Sequence, residues 1–150
     1  RVPTCAAWPG HIQPGTRSDH LALTMDLYPT VCEAAGAPFD HPIDGRSILP
    51  TLRGEAPPAD DARTVFWVRR EGGGLYGGRA YYAARRGDWK LLQNTPFEPM
   101  ELYNLGEHPA ESTSANPKSK PFNDLSNALK DHIIHAGSVP WSPKNPGGMK

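Results

Sequence analysis

The sequence predicts an α/β chain in two parts, a loop-rich first part to residue 61 and, over residues 62–150, a small antiparallel sheet of about four strands with one packed helix. Three observations predict this. The first half carries short apolar runs broken by proline and glycine; residues 64–105 hold β-prone runs separated by turn signals; and residues 123–135 repeat apolar side chains at helical spacing.

The 17 Pro and 15 Gly make up about a fifth of the 150 residues, while Trp, Tyr and Phe remain frequent enough for a core, which describes a loop-rich folded protein. Lys plus Arg equal Asp plus Glu at 16 each, so the charge balance gives no reason to expect nucleic acid or an anionic membrane as partner. No apolar run approaches the roughly 20 residues that span a bilayer. The opening Arg1-Val2-Pro3-Thr4-Cys5 has neither the basic stretch nor the apolar core of a signal peptide. With no initiating methionine, the chain is expected to be a piece of a longer protein.

Val2 to Trp8 read as a short strand that ends in the turn Pro9-Gly10. Ser18 or Asp19 offers a cap for the segment that follows. Its proline, Pro29, divides it into an extended or loosely helical 20–26 and a helix from about 28 with Pro29 in first position, stopped by Gly36. Residues 37–62 form a Pro-rich connector with one helical turn near Leu49-Pro50-Thr51-Leu52, ending in the linker-like Pro57-Pro58-Ala59-Asp60-Asp61.

The strands are expected at Thr64–Val68, Ala80–Ala84, Trp89–Leu92 and Glu101–Leu105, with Gly87-Asp88 turning a hairpin between the second and third. Leu125, Ala128, Leu129, His132 and Ile133 then mark the helix face that packs on the sheet, with Asn123 or Asp124 as cap and Gly137 as stop. The tail after Ser138 should be irregular.

The order of the local motifs resembles the C-terminal portion of the type I, formylglycine-dependent sulfatases of the alkaline-phosphatase-like superfamily, relatives of arylsulfatase and N-acetylgalactosamine-6-sulfatase. Arg1-Val2-Pro3 with Trp8-Pro9-Gly10-His11-Ile12 is similar to the family's R-V-P and W-P-G-x-I block. Asp26-Leu27-Tyr28-Pro29-Thr30 with Ala35-Gly36 resembles D-x-x-P-T and its A-G stop. Asp44-Gly45-Arg46-Ser47-Ile48 resembles D-G-x-S-L, and Leu52-Arg53-Gly54 resembles L-x-G. Arg86-Gly87-Asp88-Trp89-Lys90-Leu91 resembles the R-x-G-D-W-K-L hairpin. Glu101-Leu102-Tyr103-Asn104-Leu105 with Pro109 and Glu111 resembles E-L-Y-x-L and D-P-x-E, with His108 standing in place of the Asp.

The resemblance implies that residues 1–61 are the C-terminal end of the large sulfatase α/β domain plus a connector, and 62–150 the C-terminal sheet-and-helix subdomain. It further implies a sulfuric ester hydrolase whose full-length form needs calcium and a formylglycine, acts on a sulfated small molecule or glycan, and resides in the periplasm or outside the cell. The chain itself shows neither the C/S-x-P-S-R nucleophile motif nor the family's metal-binding Asp residues. Cys5 precedes Ala6-Ala7-Trp8 and Cys32 precedes Glu33-Ala34-Ala35, so neither is a formylglycine precursor. No catalytic residue and no metal ligand is therefore assigned, and the piece alone is expected to be inactive and to self-associate through exposed core.

For substrate contacts the candidates are Arg69, Arg70, Tyr76 and Arg79, read as one Gly-rich loop between the first two strands. Arginine forks suit sulfate or carboxylate, and tyrosine stacks on sugar faces. A solvated hairpin loop is the plain alternative. Two cysteines, Cys5 and Cys32, read as small apolar residues or a disulfide, and His132 with His135 as a surface pair on the last helix. Two other functions fit the same residues: an anionic-glycan binding module without catalysis, and a piece of a phosphate or phosphonate ester hydrolase of the same superfamily.

Overall fold

In the computed structural model, residues 2–55, 63–70, 80–95 and 97–138 are described. The chain divides into two compact units, Arg1–Asp61 and Ala62–Lys150.

The first unit is short on regular structure because its prolines and glycines interrupt every apolar run. A 3-10 turn, Thr24–Asp26, leads into helix α1, Leu27–Ala34, and a single helical turn, α2, spans Leu49–Leu52. Pro29 thus occupies the third position of α1, one turn in, where its missing N–H still costs no intrahelical bond. The expected caps at Ser18 and Asp19 are replaced. Ser18 Oγ accepts from the His20 amide at 3.2 Å, whereas Asp26 organises the helix entry by accepting the Leu23 amide at 2.7 Å. Gly36, at φ 63°, closes α1 as expected, because only glycine enters that region without strain.

Residues 2–8 form no strand. A short apolar run makes a strand only where a neighbour completes the ladder, and among the described residues every strand pairs within the second unit.

The second unit is a four-stranded antiparallel meander, β1-β2-β3-β4, of Val65–Arg70, Ala80–Arg86, Trp89–Gln93 and Glu101–Asn104. Gly87, at φ 56°, and Asp88 turn β2 into β3 so that Arg86 faces Trp89 across the hairpin. Side chains alternate along each strand. Phe66, Tyr82, Ala84, Leu91 and Leu102 fall on one face, against helix α3, Lys120–Ser138, whose Leu125 and Leu129 complete the core.

The helix begins a turn earlier than the Asn123 or Asp124 caps suggest and runs one residue past Gly137. Pro121 is acceptable there because first-turn amides have no helical partner. His132 lies on the packed face that the helical stripe predicts, not in a surface pair: its ring stacks on Phe66 at 4.2 Å and 6°, while His135 lies 2.8 Å from the Asp131 carbonyl.

Candidate functional site

The motifs turn out to be halves of three contacts, each joining segments distant in sequence. In the first, the Trp8 carbonyl accepts the amides of His11 and Ile12, Gly10 takes φ 82°, and the Trp8 ring stacks on His11 at 4.1 Å. The Arg53 guanidinium then sits 5.8 Å from the same ring, within cation–π range.

The second contact is polar and buried. Asp26, fully buried, accepts the Arg46 amide at 2.9 Å in addition to that of Leu23. The Thr30 hydroxyl donates to the Asp26 carbonyl at 2.6 Å and accepts the Ile48 amide at 3.0 Å. Gly45 lies so close to α1 that a Cβ there would overlap the Met25 carbonyl oxygen and press on Pro29.

In the third, Lys90 pairs with Glu111 at 2.6 Å, and the Tyr103 hydroxyl donates to Glu101 at 2.8 Å on the sheet face opposite α3. That hydrogen bond comes first among the causes that push Tyr103 up to about 12, followed by burial and the charges of Glu101 and Glu111. Glu111 holds a left-handed backbone, φ 56°, to make its ion pair. All three contacts are satisfied internally, which makes the motifs fold-holding devices.

The substrate candidates are placed otherwise than a single loop would place them. Arg69 and Arg70 are the last residues of β1, paired with Tyr81 and Ala80. Strand pairing extends further than the glycines suggest because β2 continues opposite them. Tyr76, Arg79 and the side chain of Arg70 lie outside what is described.

At this end of the sheet the structure shows a recess of about 360 Å³ lined by Tyr81, Asn94, Thr95 and Glu98. Tyr81 faces away from α3 and opposes Arg69. The turn after β3 is fixed by Gln93 Nε2 donating to the Glu98 carbonyl at 2.9 Å and by the Glu98 amide donating to the Thr95 carbonyl at 3.2 Å. The Phe97 amide donates to Thr95 Oγ1 at 3.3 Å, which leaves the hydroxyl proton directed elsewhere, and the Phe97 ring is 98% exposed. These residues were hard to find in sequence. Asn94–Pro99 reads only as an interstrand turn and Tyr81 as one more strand aromatic, and nothing in their local pattern marks them.

Among the described residues there is no cluster of three or more His, Cys, Asp or Glu, and the buried Asp26 carboxylate is committed to backbone amides. Cys5 and Cys32 are both free thiols, Cys5 exposed.

Comparison with known proteins agrees with the motif pattern. The family model described as N-sulphoglucosamine sulphohydrolase, C-terminal, matches residues 1–137. A sulfatase of Formosa agariphila is 32% identical over 142 residues, covering 87% of this chain and 25% of its own length. Human arylsulfatase A is 33% identical over 134 residues, covering 75% of this chain and 25% of its own length. A solved protein in complex with its substrate, D-glucosamine-2-N,6-O-disulfate, aligns at a TM-score of 0.70 with 23% identity over 93% of this chain and 29% of its own, which speaks for the fold. The chain thus spans about a quarter of the length of the curated relatives it matches.

Proposed function

This chain belongs to the family of N-sulphoglucosamine sulphohydrolase C-terminal domains, and on that premise we propose that the protein is part of a sulfatase that hydrolyses sulfate esters. The observation that carries the reading is the family match across residues 1–137. The three motif contacts add a physical reason for it: matched motifs that hold each other in place are signatures of a shared fold, more specific than any one turn. A Bacteroides thetaiotaomicron relative, N-acetylglucosamine-6-O-sulfatase, is 25% identical over 122 residues, which supports a sulfated sugar as the substrate class.

This chain's part in the reaction is structural and, at most, substrate-positioning. The calcium and formylglycine that the resemblance implies find no matching donor set or precursor here: Cys5 and Cys32 lack the Pro and Arg context, and the described residues hold no metal cluster. No chemical step is therefore routed through this chain. The isolated 150 residues are inactive, and the sulfatase activity belongs to the longer protein.

The test is sulfate release from an aryl sulfate with calcium present. The isolated chain should not exceed the protein-free blank, whereas the longer protein with its nucleophile oxidised should turn over. Turnover by the isolated chain defeats the inactivity reading, and a longer protein that cleaves aryl phosphonate but not aryl sulfate defeats the sulfatase one.

A further inference from the structure

We propose that β1 is a docking edge for an extended acidic segment of a separate protein, which joins the sheet as a fifth strand. The proposal stands on the sheet itself and does not depend on the sulfatase reading above.

The order β1-β2-β3-β4 gives β1, Val65–Arg70, β2 as its one strand neighbour among the described residues. A strand so placed turns half of its backbone N–H and C=O groups away from the sheet, and another strand satisfies them in series. The composition of β1 suits such pairing. Val65-Phe66-Trp67-Val68 is β-branched and aromatic, with no proline or glycine to interrupt a ladder. Helix α3 covers one face of β1 through the stack of His132 on Phe66, yet Trp67 remains 42% and Val68 36% exposed.

Charge decides which strand fits. Together β1 and β2 hold four arginines, Arg69, Arg70, Arg85 and Arg86, and no Asp or Glu, in a chain whose charges balance at 16 each. Arg85 and Arg86 spend their Nε atoms on neutral acceptors, the Gly87 carbonyl at 2.8 Å and the Thr64 hydroxyl at 2.7 Å, so those bonds compensate neither charge. Lys90, the cation of β3, is instead neutralised by Glu111 at 2.6 Å. Positive charge is therefore concentrated on the β1 side of the sheet. A second copy of the chain would set arginine strands beside arginine strands, which like-charge repulsion opposes. An anionic polysaccharide would gain the attraction but has no peptide ladder to offer. An acidic strand gains both.

The experiment is amide-resolved NMR titration of the dilute 150-residue chain with a peptide of alternating glutamate and valine, about ten residues long. Saturable shifts are expected at Val65 to Arg69 and not along β4. The same peptide N-methylated at every residue keeps its charge and loses its ladder, and should bind at least about tenfold more weakly. Arg85→Gln with Arg86→Gln should weaken the unmethylated peptide about threefold and flatten its salt dependence. Unchanged amide positions along β3 and β4 verify that the variant is folded. The longer protein should bind a labelled form of the peptide equally well, read by fluorescence polarisation.

The proposal is overturned if millimolar peptide leaves the β1 amides in place, or if the methylated peptide or dextran sulfate moves them as strongly. It is equally overturned if the β1 amides move when the chain alone is concentrated, which would make a second copy the occupant. Failure of the longer protein to bind what the isolated chain binds would mean that its own segment fills the edge, and that too removes the separate partner.

Discussion

Asp26 and Thr30 do the work of a tertiary clip with four short hydrogen bonds, two of them to amides on the segment Arg46–Ile48. Thr30→Val keeps the shape and removes both hydroxyl bonds, leaving the buried Ile48 amide without its acceptor. That should cost about 1–3 kcal/mol, measured by urea unfolding followed at the first unit. Gly45→Ala should cost more, because the new methyl meets backbone at Met25 and the segments must part. If Gly45→Ala were the milder of the two, close approach would not be what the glycine serves.

Tyr103 gives a residue-scale pH dependence. Its folded pKa, about 12, stands above the ordinary 10.0 of the unfolded chain, chiefly through the hydrogen bond to Glu101. Between those values the unfolded chain loses its proton while the folded one keeps it. Stability from this group is thus complete below about pH 10 and is lost as pH rises toward 12. Tyr103→Phe should remove that component of the alkaline decline, and ultraviolet titration of the folded chain should show a late-ionising tyrosine that is missing from this variant. Ordinary ionisation of every tyrosine would mean that the Glu101 bond does not form.

At the scale of elements, the hairpin and α3 carry the second unit. Leu129, wholly enclosed between helix and sheet, should cost about 2–5 kcal/mol when cut to alanine, read as a lowered melting temperature of the β-sheet signal. Gly87→Val should cost about 1–2 kcal/mol, because a branched side chain enters the left-handed region with strain.

These two elements were also the most legible in sequence. Leu125 and Leu129 repeat at helical spacing, and Gly87-Asp88 between alternating runs signals a tight hairpin, so local propensity and tertiary outcome agree. The misreadings share one cause: they concern contacts made by segments far apart in the chain. Asp26 outcompetes Ser18 and Asp19 because its carboxylate also finds the Arg46 amide, and the surface pair read for His132 and His135 gives way to the packed-face reading because Phe66 on the sheet stacks on His132. Tyr81 and Glu98 likewise meet only after the meander folds. Residues 2–8 show the converse, a short apolar run with no ladder to join among the described residues.

For the whole molecule, the consequence lies in what the first unit leaves open. Along and beside α1, Leu27 is 52% exposed and Val31 65%, while Met25, Tyr28 and Phe39 stand near half-exposed and the Tyr28, Phe39 and His41 rings gather within 6 Å of one another. Scattered exposed apolar residues are ordinary, but a run of them on one short helix is an unsatisfied surface. Opposing it, among the described residues of this unit, is a small core around Ile48, Leu49 and the Asp26–Thr30 clip.

The isolated chain should therefore self-associate, with light scattering on a sizing column giving a mass that rises with concentration. Val31→Asp together with Leu27→Lys should return it toward the monomer without lowering the melting temperature of the sheet, since neither residue belongs to the second unit. A chain that stays monomeric at high concentration would show the surface to be tolerated. Association that persists in the double variant would place its cause elsewhere.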